Sequence, residues 1–115
     1  MISNSKLFMQ LFTGLIITMI STYWLKNLFK VPIPSTFPLS GHLHSKIRWS
    51  FPSGHTSMAT FVFGWIYKKY PSNWTKLLFL AGWFYFGFRS FLLGYHTLED
   101  IIGGTLLGLF ILRYF

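Results

Sequence analysis

Leu7–Leu25, reading LFMQLFTGLIITMISTYWL, carries no charged side chain between Lys6 and Lys26 and ends near the aromatic pair Tyr23 and Trp24. A run of about 20 mostly apolar residues, with bases at both ends and interfacial aromatics, is the length that crosses a hydrocarbon core of ~30 Å as a helix. Ser21-Thr22-Tyr23-Trp24 suits signal cleavage poorly, so the run reads as an uncleaved span. Beyond it, residues 31–50 hold Pro32, Pro34, Pro38 and Gly41, which interrupt helical continuity, together with His42, His44, Lys46 and Arg48. A second apolar block opens at Phe51-Pro52-Ser53-Gly54-His55, with Ser53 placed as a helix cap, and stops at Lys68 and Lys69. After the turn at Tyr70-Pro71-Ser72-Asn73, a third block starts near Trp74 and a fourth runs from Thr97. The expected fold is one all-α membrane domain over residues 1–115, a bundle of about four transmembrane helices. Its spans fall near 7–25, 52–67, 74–93 and 97–115.

Composition agrees. The 115 residues are 52% hydrophobic and 22% aromatic but only 10% charged, too apolar for an ordinary soluble domain of this size. Ten Lys and Arg against two Asp and Glu give a net charge of +8. Because the bases flank apolar blocks, membrane headgroups and anionic substrates are the expected partners, and nucleic acid is not. A homo-oligomer is compatible with the sequence. With no cysteine, disulfides, thiol nucleophiles and thiolate metal sites are excluded.

The last two blocks carry the chemistry. Charge-free runs from Leu77 to Phe88 and from Ile101 to Leu112 would each rise only ~18 Å, so Arg89, Glu99 and Asp100 must come into or near the membrane boundary. Ionisable groups at that depth usually face a bundle interior or a wet cavity. Four spans put the 31–50 loop, Ser53-Gly54-His55 and the Arg89–His96 connection on one face. Ser53, Gly54 and His55 at a helix start offer backbone N–H groups and a positive dipole end to an anion. His96 and Asp100 are four residues apart, so the carboxylate can hold one ring nitrogen and leave the other as base or nucleophile. His55 could then protonate a leaving oxygen, with Lys26 and Arg89 binding a phosphoryl group. Thr97-x-x-Asp100 is also a capping-box pattern, and the structural and catalytic roles of Asp100 are compatible. Gly103, Gly104 and Gly108 suit close helix packing. His42 and His44 without further ligands make a weak metal pattern; no metal or cofactor is expected.

Phe51-Pro52-Ser53-Gly54-His55-Thr56-Ser57 and Gly94-Tyr95-His96-Thr97-Leu98-Glu99-Asp100 resemble the second and third signatures of the type-2 phosphatidic-acid phosphatase superfamily, Pro-Ser-Gly-His and Ser-Arg-x5-His-x3-Asp. The resemblance covers roughly residues 24–108. It implies a metal-independent membrane phosphatase acting on a lipid phosphomonoester or diphosphate through a phosphohistidine. His96 would be the nucleophile, Asp100 its orienting partner and His55 the general acid. Ser53, Gly54, Lys26 and Arg89 would bind the phosphate.

The sequence departs from the family's patterns twice. In the first signature, Lys-x6-Arg-Pro, Lys26 and Pro34 match but Ile33 stands at the arginine position. In the third, Arg89-Ser90 inverts the Ser-Arg order, so the arginine is seven residues before His96 and turned by about 100° on a helix. Lys30, Lys46 and Arg48 are candidate replacements for the missing arginine. A lipid phosphotransferase using the same histidine, and a degenerate non-catalytic member, are the alternative readings. Discounting Lys26 and Arg89, the basic excess lies on the side of the termini. This predicts cytoplasmic termini in a plasma or inner membrane and an extracytoplasmic site.

Overall fold

The computed structural model describes residues 3–30, 51–92 and 97–115. Among these residues the chain is all-helical, with α1 (Asn4–Phe29), α2 (Gly54–Lys69), α3 (Asn73–Leu92) and α4 (Leu98–Leu112) and no strand. The helices fall in the four apolar blocks, but α1 extends past its charge-free run at both ends. Local capping sets those ends. The Ser3 side chain accepts from the Lys6 amide at 3.3 Å, and Lys30, left-handed at φ 51, donates its N–H to the Lys26 carbonyl at 2.9 Å.

Helix α2 packs against the other three. α1 runs antiparallel to it, presenting Gly14, Thr18 and Thr22, which share one face at four-residue spacing and are its buried residues. The Phe61 ring of α2 occupies the space a side chain at Gly14 would need. Thr18 and Thr22 donate their hydroxyls to the carbonyls of Gly14 and Thr18, each at 2.7 Å, so both are satisfied without water.

Helix α4 runs parallel to α2 and meets its backbone through two glycines. A Cβ on Gly104 would lie 2.5 Å from the Ser53 carbonyl oxygen, and one on Gly108 would lie 2.7 Å from the Ser57 carbonyl oxygen. Both distances are far inside van der Waals contact, so only hydrogen fits on that face of α4. The four-residue glycine spacing therefore sets the α2–α4 approach. α3 packs on α2 and touches α4 at its edge. It buries Gly87 and Ser90, seats the Phe63 ring against Gly82, and donates from Trp83 Nε1 to Thr105 Oγ1 of α4 at 2.7 Å.

Polarity is inverted relative to a water-soluble bundle. Among the described residues, Thr18, Thr22, Ser53, Thr56, Ser57, Thr60, Ser90 and Asp100 are buried, whereas the buried hydrophobic set is Ala59, Phe61, Trp65, Ile101 and Ile111. Phe8, Phe12, Ile20, Trp24, Leu77, Phe84, Leu106 and Phe110 are all exposed. Among the described helices, α1 alone is long and apolar enough, by length and composition, to cross a membrane. α2 and α4, with 16 and 15 residues, rise roughly 24 and 22 Å.

Candidate active site

One end of the bundle gathers the C-terminus of α1 and the N-termini of α2 and α4. Ser53 caps α2 from a fully buried position. Its Oγ accepts from the Thr56 amide at 3.2 Å and donates to Thr56 Oγ1 at 2.9 Å. The Ser53 amide itself donates to the Asp100 carbonyl at 2.9 Å. This bond ties the start of α2 to the first turn of α4. Gly104, one turn further along α4, allows the approach.

Asp100 is 1% exposed. Its Oδ2 accepts from the Thr97 amide at 2.8 Å, and its own amide donates to Thr97 Oγ1 at 3.4 Å, completing the capping box that the sequence pattern allows. Helix α4 thus begins two residues after His96, behind its Thr97 cap, with the carboxylate folded back over that beginning.

Lys26 is one turn beyond Thr22 on α1, half-buried and within electrostatic reach of Asp100. Thr22 fixes its helix to α2 through a 3.0 Å hydrogen bond between Thr22 Oγ1 and Ser57 Oγ. With the Thr22 proton given to the Thr18 carbonyl, Ser57 is the donor to Thr22 Oγ1, and the Gly54 carbonyl, 2.9 Å from Ser57 Oγ, is the alternative acceptor for that one proton. Two aromatics close the same corner. Phe29 of α1 meets Phe51 edge-on at 5.3 Å between centroids, and the Phe51 ring lies over Gly103 of α4.

The structure therefore brings Lys26, Ser53, Gly54 and Asp100 to one end. His55, second residue of α2, is at that end with its side chain exposed. Arg89 is in the last turn of α3, also exposed, while Gly87 and Ser90 occupy the inward face of that helix. The residue turned into the bundle is Ser90. His96 lies outside the described residues, as do Ile33, Lys46, Arg48 and the histidines His42 and His44. Among the described residues, no group of three or more His, Cys, Asp or Glu side chains is placed to hold a metal ion.

Sequence reading missed the positioning residues Thr22, Ser57 and Phe51. A signal for Thr22 was present in the spacing Gly14, Thr18, Thr22, small or polar positions recurring every four residues in an otherwise greasy span. Such a stripe marks the face that meets another helix.

The model of the PAP2 superfamily matches residues 7–115, which takes in α1 from Leu7 onward, the other three helices and both sequence signatures. The chain belongs to the PAP2 superfamily. Membership suggests phosphatase or phosphotransferase activity, and members of this superfamily are typically membrane-associated. No curated protein and no solved structure gives a significant match.

Proposed function

We propose that the chain is an integral membrane phosphatase that hydrolyses a lipid phosphomonoester or diphosphate without metal, through phospho-His96. The observation that carries this reading is the Ser53 amide to Asp100 carbonyl bond, which couples the Pro-Ser-Gly-His turn to the helix start that follows His96. In the proposed reaction a ring nitrogen of His96 attacks phosphorus, and the bond to the leaving oxygen breaks. His55 gives that oxygen a proton. Asp100 holds the other ring nitrogen's proton and stabilises the imidazolium that forms. Water, deprotonated by His55, then releases phosphate and regenerates His96. Lys26 and the amide-rich start of α2 at Ser53 and Gly54 offset the phosphate charge, with Arg89 a second cation at the same end of the bundle.

The proposed membrane placement, with all four helices spanning, is supported by the inverted polarity. Hydroxyls satisfied inside and large apolar side chains outside suit hydrocarbon as solvent. The shortness of α2 and α4 supports a site at headgroup level, where a lipid phosphate resides. With Lys26 and Arg89 assigned to substrate, the positive-inside tendency favours cytoplasmic termini and a site on the extracytoplasmic side of a plasma or inner membrane.

Purified protein offered a short-chain phosphatidate and a polyprenyl diphosphate should release phosphate from at least one, in excess chelator, and His96→Ala should release none. No phosphate release by the wild-type protein from either class would favour the non-catalytic reading. The specific observation behind that reading is the outward placement of Arg89 combined with Ile33. Adding alcohol acceptors separates hydrolysis from transfer, since both pass through the same phosphohistidine.

A further inference from the structure

The end of the bundle opposite the site carries Lys6, Lys68, Lys69, Lys76 and Arg113. Neither Asp nor Glu is available there, because the chain's two acidic residues, Glu99 and Asp100, both sit in the first turn of α4 at the other end. Lys68 has a structural task. Its Nζ donates to the carbonyls of Leu112 and Arg113 at 3.1 and 3.5 Å, closing the C-terminus of α4. Lys69, in the last turn of α2, and Arg113, at the C-cap of α4, stand where the helix dipole favours a cation, whereas Lys6 and Lys76 have no such role.

Lys6 and Lys76 are placed against helix electrostatics. Each falls in the first turn of its helix, α1 or α3, where the dipole is positive and where neither helix has an acidic residue. The α3 start is capped by neutral groups, with Ser72 Oγ accepting from the Thr75 amide and Thr75 Oγ1 accepting from the Ser72 amide, both at 3.0 Å. Lysine at such positions opposes helix stability. Lys6, Lys76 and Arg113 are exposed. Around them stand Tyr70, Trp74 and Tyr114, exposed by 53%, 81% and 68%, rings whose apolar body and polar tip fit a headgroup layer.

We infer that this basic end is a docking surface for anionic phospholipid headgroups, separate from the substrate site and of the opposite leaflet. Headgroup phosphates supply the negative charge that the chain lacks at this end, and the aromatics set the depth at which Lys6, Lys69, Lys76 and Arg113 meet them. The inference rests on the membrane-spanning reading of the bundle but not on catalysis.

Membranes holding the protein are first washed with urea and alkaline carbonate; release of the protein would overturn the spanning reading and this surface with it. Retained protein is purified and reconstituted in phosphatidylcholine with or without phosphatidylglycerol. Phosphatidylglycerol should raise the thermal midpoint by about 5 °C, and high salt should erase that gain. The gain should survive His96→Ala and shrink by more than half in Lys6→Gln/Lys76→Gln. Should that double variant fail to fold, Lys69→Gln/Arg113→Gln serves the same comparison. Equal midpoints in both lipids, a gain insensitive to salt and to both double variants, or a gain abolished by His96→Ala would each overturn the docking surface while leaving the spanning reading intact.

Discussion

The amide of Ser53 donates to the carbonyl of Asp100 across 2.9 Å, joining two residues 47 positions apart in sequence at the starts of two parallel helices. Because Gly104 sits directly beneath that bond, its missing side chain controls the separation of the two helix starts. Gly104→Ala should push a methyl into the Ser53 carbonyl, costing about 1–3 kcal/mol of stability through overpacking. It should also lower kcat/KM by an order of magnitude or more by parting Asp100 from the α2 turn. Ile102→Ala, which trims a side chain exposed by 58%, should leave both nearly unchanged. Thermal midpoints and initial rates of the two purified variants make the comparison.

Thr97 anchors the Asp100 carboxylate from the position next to His96. Removing its hydroxyl in Thr97→Val takes away the acceptor for the Asp100 amide and should cost about 1 kcal/mol, the usual value of an N-cap. Thr97→Ser keeps the acceptor and should restore both stability and rate. A valine variant with full activity and an unchanged midpoint would show that the Thr97 hydroxyl contributes neither to the helix nor to the site, since the Thr97 amide still reaches Asp100 Oδ2 in that variant.

The helices were legible because α1 and its successors are bounded by charges and by turn residues, and such boundaries survive in any packing. The Gly104–Gly108 contact and the Thr97–Asp100 box were also readable, since each depends on residues within one helix turn of each other. Inter-helix partners were not. The Thr22–Ser57 hydrogen bond joins residues 35 apart, and a threonine in an apolar span has the same local appearance whether it bonds across an interface or back to its own carbonyl. In fact Thr22 does both. The outward direction of Arg89 was equally hidden, because it depends on which face of α3 meets α2 and α4, and that choice is made by Gly87 and Ser90.

His96→Ala and His55→Ala should both fold and both be inactive. His55 is exposed at the helix start, so its loss removes no core packing. The two variants should fail at different steps. With a substrate bearing a good leaving group, which needs little protonation, His55→Ala should regain part of the first step and accumulate labelled phosphoenzyme. His96→Ala should form none. Rapid acid-free denaturation and detection of base-stable phosphate distinguish them, and phosphoenzyme formed in His96→Ala would remove the nucleophile from this mechanism.

Lys26 and Arg89 differ in placement, and that difference predicts unequal losses. Lys26 is half-buried near Asp100, so Lys26→Ala should remove a charge-assisted contact worth about 1.5–3 kcal/mol, roughly ten- to a hundredfold in kcat/KM. Arg89 is exposed on the flank of α3, and Arg89→Ala should cost less than Lys26→Ala. The inward position next to it is Ser90, 2% exposed. Exchanging the pair, Arg89→Ser with Ser90→Arg, carries the guanidinium about 100° around the helix and places it six residues before His96. If the phosphate binds at the Ser53–Asp100 end, the exchanged protein should bind substrate more tightly, with KM falling several-fold and kcat little changed. The burial of Ser90 sets the opposing cost, because an arginine there without an anion is an unpaired buried charge. Its thermal midpoint should therefore drop without ligand and recover on adding inorganic phosphate. An exchanged protein that is destabilised, unaffected by phosphate and no tighter for substrate would place the phosphate away from the inner face of α3.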